Sequence, residues 1–215
     1  MRKGPRKKQD ILNTASVLFA QKGYINTSIQ DILDQLNTSK GSFYHHFKTK
    51  FEVLAELGKA QAQASFARYE KNKPFDAQSA LNALLREASF ITPENVPLLR
   101  NLIALQDDFE GTALLREMQN AVSAIFFPAF VSIMLQLKQM EEAIFANEHS
   151  LKVAFTSFLS ACALLISQAK TADREAETLP LLRAVRRHLE AALGMSPGSI
   201  IVIEADELAL ILQDL

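Results

Sequence analysis

The segment 27–47 constrains the fold of this chain more than any other stretch of its sequence. Its first apolar residues recur at the spacing of one helix face, at Ile29, Ile32, Leu33 and Leu36. The polar triplet 37–39 interrupts this pattern, and Phe43 and Phe47 then stand four residues apart on one side of a second short helix. Two short helices joined by a tight polar turn have the geometry of a helix-turn-helix.

The residues around the turn have the conformational and capping properties that this geometry needs. Asn37 is the best non-glycine residue for the left-handed backbone of such a turn. Thr27 or Ser28 can cap the first helix. Residues 38–40 lie at the start of the second helix, where free backbone N–H groups and the helix dipole favour a phosphate.

The outward face of the second helix follows from its inward phenylalanines. Successive residues rotate by about 100° in an α-helix, which leaves the outward face to Gly41, Ser42, Tyr44 and His45. Gly41 is costly inside a helix. Its presence therefore indicates close approach of another surface, such as a DNA backbone.

The rest of the chain predicts further helices. Apolar residues between Ile11 and Phe19 have helical spacing, and Gly23 is a suitable stop. A fourth helix is expected from about 50 to 71, and others near 77–91, 94–109, 112–142, 148–170 and 175–193. The expected breaks are Pro93, Gly111, Asn147 and 171–173, and Pro128 should kink or split the long segment. Seven glycines and seven prolines in 215 residues argue against an all-β or loop-rich protein.

Charge is distributed unevenly along the chain. Residues 1–50 carry nine Lys or Arg and three Asp, a net charge of +6, whereas the remainder carries −7. A basic end on an acidic body is expected when only that end meets a polyanion. The single cysteine, Cys162, fits a reducing compartment. The longest apolar stretches, 124–135 and 158–166, are too short to span a bilayer, so we expect a cytoplasmic protein with no membrane partner.

Two sequence motifs carry a resemblance to a known family. The first runs Gly-Tyr-x-x-Thr-Ser-Ile-x-x-Ile from Gly23 to Ile32, and the second runs Thr-Ser-Lys-Gly-Ser-Phe-Tyr-His-His-Phe-Lys-Thr-Lys from 38 to 50. Together they resemble the tetracycline-repressor (TetR/AcrR) family over residues 8–55. Leu33 and Asn37 depart from the alanine and glycine that are common at these positions, and neither change removes a DNA contact.

The resemblance implies an all-α protein with three parts. These are a three-helix DNA-binding domain with a helix-turn-helix at 1–50, a helical effector-binding and dimerisation domain at 51–195, and a tail of unassigned role at 196–215. The candidate DNA-binding residues are Thr27, Ser28, Thr38, Ser39, Lys40, Gly41, Ser42, Tyr44, His45, His46 and Lys50.

Within that set, the resemblance implies two kinds of contact. Base-edge or groove contacts are implied for Lys40, Ser42 and His45. Phosphate contacts are implied for Thr27 or Ser28, and for Ser39, Tyr44, His46 and Lys50. For Tyr44 a packing role remains an alternative, as does helix capping or packing beside Phe47 for His46.

The resemblance also implies a ligand cavity and a dimer in the helical domain. A concentration of aromatic residues suggests a pocket for a largely apolar small molecule, lined by Phe126, Phe127, Phe130, Met134, Phe155, Phe158 and Cys162. Polar contacts from Arg100, Gln106 and Gln119 are expected there, and a fully packed core is the alternative. The expected two-fold interface is formed by Ala154, Ser157, Ala161, Leu164, Leu165, Leu181, Leu182, Val185 and Leu189.

The sequence contains no constellation that indicates catalysis. It has no Gly-rich phosphate loop, no Cys/His metal spacing and no paired catalytic groups, so no catalytic residue, metal or cofactor is predicted. The resemblance implies a homodimeric transcriptional regulator, by default a repressor, that a small effector releases from a palindromic operator in double-stranded DNA. The alternatives are a helix-turn-helix protein without an effector, such as a nucleoid or adaptor protein, and an all-helical enzyme with a basic tail.

Overall fold

The computed structural model describes residues 3–168 and 174–215, and within these ranges it is helical with no strand. The helices are α1 (Lys3–Lys22), α2 (Ile29–Gln35), α3 (Lys40–Tyr44), α4 (Lys50–Asn72), α5 (Ala77–Ser89), α6 (Val96–Leu105), α7 (Phe109–Gln139), α8 (Glu148–Gln168), α9 (Arg174–Leu193) and α10 (Ala205–Gln213). A short 3₁₀ helix, Pro93–Asn95, precedes α6. The predicted all-α fold with an N-terminal helix-turn-helix is confirmed.

The helical body is built around α7. This helix packs against α4, α5, α6 and α8, and α9 packs on the outer side of α8. The N-terminal helices are joined to that body without a gap, because α1 packs on α2, α4 and also α6. The division at residue 50 coincides with the first residue of α4 and stays a prediction.

One of the expected helix breaks is wrong, and the long segment is not split at its proline. Gly111 does not separate α6 from α7 but lies in the first turn of α7. A Cβ atom at Gly111 would lie 1.9 Å from the carbonyl oxygen of Leu105, so glycine is needed there for close packing. Helix α7 runs through Pro128 without being split, and Phe126 and Phe130 on both sides of the proline are fully buried; the alternative of a kink at Pro128 stays a prediction. The break expected at 171–173 lies outside the described residues.

The tail folds back onto the helical body. Leu208, Ile211 and Leu212 on α10 are buried, although sequence analysis left this segment unassigned. The preceding β-branched stretch forms no strand. Instead, its backbone is bound by side chains, since Glu190 accepts from the Ile200 N–H at 3.1 Å and Asn82 accepts from the Ile201 N–H at 3.0 Å.

Helices α7 and α8 are long and apolar enough to cross a bilayer by length and composition. The expectation from sequence considered only the apolar stretches 124–135 and 158–166, which are shorter than the helices that contain them. Buried core helices meet the same criteria. Phe130 on α7 and both Phe155 and Phe158 on α8 are at most 1% exposed, so in this fold the two helices form the core.

Candidate nucleic-acid interface and effector cavity

The start of α2 is fixed by a capping box. The Ser28 hydroxyl accepts from the Asp31 N–H at 3.0 Å, and the Ser28 N–H donates to the Asp31 carboxylate at 2.7 Å. The hydrogen bond from the Ser28 side chain is the main cause that lowers the pKa of Asp31 to about 2, followed by the Ser28 backbone and Lys22. Of the two cap candidates, Ser28 is therefore the N-cap residue, and its side chain is exposed.

Thr27 does not reach the surface, which corrects its place among the candidate DNA contacts. Its side chain is 1% exposed, and its hydroxyl donates to the carbonyl oxygen of Gly23 at 2.8 Å. A hydroxyl that is buried and already bonded inside the protein cannot meet a phosphate without local rearrangement.

The turn and α3 have the predicted conformation. Asn37 has φ 47°, in the left-handed region. Ser39 is the N-cap residue of α3, and its hydroxyl accepts from the Ser42 N–H at 3.3 Å. Phe43 is fully buried and Phe47 is 4% exposed, with their ring centroids 6.0 Å apart. The prediction that both phenylalanines lie underneath α3 is confirmed.

Most of the other candidate DNA-binding residues lie on the solvent-facing side of α3 or directly beside it. Ser39, Lys40, Gly41, Tyr44 and His45 are exposed, whereas Thr38, Ser42 and His46 are half-buried. The Tyr44 ring contacts Phe43 edge-on at 5.5 Å and remains 53% exposed, so it has a packing role, and its phosphate contact stays a prediction. The His46 pKa is lowered, first by partial burial and then by the neighbouring His45 and Lys8.

Lys50 differs from the other candidates because its ammonium is bound within the protein. The Lys50 Nζ donates to the carbonyl oxygens of Tyr24 at 2.6 Å and Thr27 at 2.7 Å. It also lies 4.1 Å from the centroid of the Tyr24 ring. Burial lowers the pKa of Lys50. The phosphate contact that the resemblance implies for Lys50 did not anticipate these internal partners.

A narrow cavity lies between α5, α6, α7 and α8. The space that a water molecule could enter is only about 30 Å³, and it is bordered by side chains that include Phe90, Leu102, Met118, Gln119, Leu159 and Cys162. The wall is almost entirely apolar, and Gln119 supplies its main polar group. Phe90 was missed by sequence analysis; it has φ 62°, a left-handed conformation that no sequence pattern indicates for a phenylalanine.

The phenylalanines expected to line this cavity pack against one another instead. Phe126, Phe130, Phe155 and Phe158 are at most 1% exposed, and the rings of Phe130 and Phe155 are 4.9 Å apart. Phe127 joins the same cluster, and Met134 is also fully buried. Of the predicted lining residues only Cys162 borders the cavity, because the aromatic rings fill the space between α7 and α8 themselves.

The expected polar contacts are likewise divided. Gln119 borders the cavity and donates to the carbonyl oxygen of Leu159 at 3.4 Å. Arg100 instead donates to the carbonyl oxygen of Asp214 in the tail at 2.8 Å. Gln106 does not border the cavity, and its buried side-chain oxygen has no hydrogen-bond partner among the described residues.

The residues predicted for a two-fold interface are mostly buried inside the chain. Ala154, Leu165, Leu182, Val185 and Leu189 are at most 5% exposed, whereas Ser157, Ala161 and Leu181 are half-buried. These five side chains pack in the interior of a single chain, so they cannot form a surface for a second one. The exposed stripe of α8 includes one predicted residue, Leu164 (47% exposed), together with Val153 (67% exposed), Thr156 and Ser160.

Comparison with known families identifies the N-terminal region. Residues 11–57 match the model of bacterial regulatory proteins of the tetR family. The transposon Tn10 TetC protein of Escherichia coli is 43% identical over 53 residues, which are 25% of this chain and 27% of that protein. The regulator AcrR of Shigella flexneri is 31% identical over 109 residues, 48% of this chain and 51% of that protein. The chain thus spans between about a quarter and a half of these relatives.

Solved structures resemble the whole chain. RolR in complex with resorcinol has a TM-score of 0.59 at 17% identity, covering 98% of this chain and 94% of that chain. GusR of Salmonella enterica has a TM-score of 0.58 at 14% identity, covering 90% of this chain and 98% of that chain. At such low identity the likeness establishes the fold alone.

Proposed function

We propose that this chain is a DNA-binding transcriptional regulator of the tetR family of bacterial regulatory proteins, whose model matches its residues 11–57. The observation that carries this proposal is the solvent-exposed face of α3, which Phe43 and Phe47 anchor from below. The face presents Lys40, Gly41, Tyr44 and His45 on a helix short enough to enter a major groove. We assign no catalytic activity to the chain.

The contacts divide into those that select a sequence and those that hold the phosphate backbone. Lys40, Ser42 and His45 meet base edges in the groove. Ser28 and Ser39 lie at the N-termini of α2 and α3, and with Thr38, Tyr44 and His46 they bind phosphates on either side. The excess of basic residues in the first fifty residues supplies the salt-dependent part of the affinity.

The chain acts as a homodimer on a palindromic operator. The exposed stripe of α8 buries Val153 and Leu164 against the same stripe of a second copy, which explains why large apolar side chains are exposed there. Two recognition helices about 34–36 Å apart then meet successive major grooves on one face of the duplex.

The protein is a cytoplasmic repressor, and binding of a small effector releases it from the operator. The apolar wall of the cavity and its Gln119 amide suit a neutral compound with one hydrogen-bonding group. RolR, a protein of the same fold, has been solved in complex with the ligand resorcinol. Release requires that the compound bind the released conformation more tightly than the DNA-competent one.

The test begins with selection of duplexes from a random pool by the wild-type protein. We expect one palindromic sequence to be enriched and its affinity to fall steeply as salt is raised. Lys40→Ala should change the order of affinities among single-base variants of that sequence, whereas Lys71→Ala, an exposed lysine at the far end of α4, should leave it unchanged. Failure to bind any duplex at low salt refutes the proposal.

A further inference from the structure

The turn between α1 and α2 is bound by residues from the helical body. The Tyr24 N–H donates to the Asn101 side-chain oxygen on α6 at 2.8 Å. The Tyr24 hydroxyl donates to the Glu110 carboxylate on α7 at 2.9 Å. Tyr24 is only 3% exposed and Asn101 is 5% exposed, so the bond between them is shielded from water, whereas the Glu110 carboxylate is exposed.

Lys50 binds the same turn from the side of α4. Its ammonium holds the carbonyl oxygens of Tyr24 and Thr27 and lies over the Tyr24 ring. Thr27 directly precedes Ser28, the N-cap residue of α2. The ammonium therefore fixes the point at which the helix-turn-helix begins, and α3 follows that helix through a turn of only a few residues.

The partners of Tyr24 on the body are themselves held in place. The Asn101 side-chain amide donates to the carbonyl oxygen of Pro97 at 2.8 Å, within its own helix. Glu110 is followed by Gly111, which packs directly against the end of α6 at Leu105. The end of α6 and the first turn of α7 thus present one rigid surface to Tyr24.

The ionisation states of Tyr24, Lys50 and Glu110 favour the hydrogen bonds that connect the turn to the helical body. We call the contacts among these residues and Asn101 the joint. Burial and the neighbouring Glu110 raise the pKa of the Tyr24 hydroxyl, so it stays protonated and donates at neutral pH. The Glu110 carboxylate also favours the charged form of Lys50, opposing the larger effect of burial on the pKa of that lysine.

We propose that Tyr24, Lys50, Asn101 and Glu110 are positioning residues that set the angle between the helix-turn-helix and the helical body. In a dimer that angle fixes the distance between the two copies of α3, and so the half-site spacing that the protein accepts. This inference rests on the proposed function. It also gives Lys50 a structural role in place of a phosphate contact.

The joint predicts a specific defect when it is broken. One base pair corresponds to about 3.4 Å along the duplex, so a rigid dimer discriminates against operators that are one base pair too long or too short. A dimer whose helix-turn-helix units can tilt tolerates those operators. A variant that is merely less stable loses active protein but keeps the same order of preference.

The experiment uses the wild-type-selected operator and derivatives with the half-site separation changed by one or two base pairs. The wild-type protein should bind the one-base-pair derivatives roughly tenfold more weakly, about 1.4 kcal/mol. Tyr24→Phe and Glu110→Gln should reduce that ratio to below about threefold. Tyr69→Phe is the matched control, since its buried hydroxyl has no partner among the described residues, and it should keep the wild-type ratio.

Wild-type spacing discrimination in both Tyr24→Phe and Glu110→Gln overturns the inference, whereas absence of any wild-type binding overturns the proposed function instead. Tyr24→Phe retains the ring and the backbone bond to Asn101, so it should remain folded. For Lys50→Met we expect weaker binding with an unchanged slope of log affinity against log salt. A slope reduced by about one unit identifies a phosphate contact and also contradicts the inference.

Discussion

Gly41→Ala separates the demands of folding from those of DNA binding. Gly41 is exposed on α3, and its φ lies outside the left-handed region. A Cβ atom there would meet only the Ser39 hydroxyl, at 3.9 Å, which is ordinary van der Waals contact. The folded protein therefore accommodates alanine without strain, and the lower backbone entropy of unfolded alanine should stabilise the protein by about 0.5–1 kcal/mol.

The same methyl group should weaken DNA binding. If the glycine allows α3 to approach a duplex closely, the added carbon displaces the helix and lengthens neighbouring contacts from Lys40 and Ser42. Loss of about one hydrogen bond that involves a charged group, such as the Lys40 ammonium, corresponds to about 1.5–3 kcal/mol, and so to at least a tenfold drop in affinity. Stability and affinity are thus expected to change in opposite directions.

Two measurements check this prediction. Urea unfolding should give a higher midpoint for Gly41→Ala, and fluorescence anisotropy with a labelled operator should give a higher Kd. Ser42→Ala in the same helix is a useful comparison, because it removes a hydroxyl without adding bulk. Unchanged affinity in Gly41→Ala would show that α3 does not approach DNA closely at this residue, and a lower urea midpoint would refute the packing argument.

Other substitutions test the supporting structure. Ser28→Ala removes the N-cap of α2 and should lower the free energy of unfolding by about 1 kcal/mol in urea titrations. The Asp31 carboxylate stabilises the fold above pH 4, because its pKa is about 2 against an ordinary 3.8. This stabilisation should disappear as the pH falls from 3.8 to 2, and Asp31→Asn should lose less stability than the wild type over that interval. Gly111→Ala should lower Tm and cost about 1–3 kcal/mol, since its Cβ would collide with the Leu105 carbonyl; a Tm at or above that of wild type contradicts this packing.

The helix-turn-helix could be predicted from sequence because its determinants are local. Asn37 is left-handed as its side-chain chemistry suggests, and Gly23 ends α1 with φ 79°. The four-residue spacing of Phe43 and Phe47 defines the buried side of α3, which in turn defines the exposed side. Capping, turn conformation and helix periodicity all act within a few residues, so each can be predicted from the sequence without knowledge of the tertiary fold.

The cavity and the outer face of α8 depend on which elements become neighbours, and that information is not local. Apolar residues such as Ala154 and Leu165 have the spacing of an interface stripe, yet they face the core of their own chain. Aromatic residues concentrated on α7 and α8 predicted a cavity, but rings of complementary shape fill space rather than enclose it. Phe90 borders the true cavity in a conformation that only tertiary packing can impose.

The position of the cavity relative to the joint connects the two proposed activities of the protein. Leu102 in the cavity wall directly follows Asn101 on α6, and Leu115 lies little more than one turn after Glu110 on α7. On the far side, the packed rings of Phe130, Phe155 and Phe158 leave α7 and α8 little freedom to separate. We therefore expect a ligand larger than the cavity to displace α6 and the start of α7, the two elements that hold Tyr24. A displacement of about one ångström there is comparable to the difference between a made and a broken hydrogen bond, which is sufficient to release the joint.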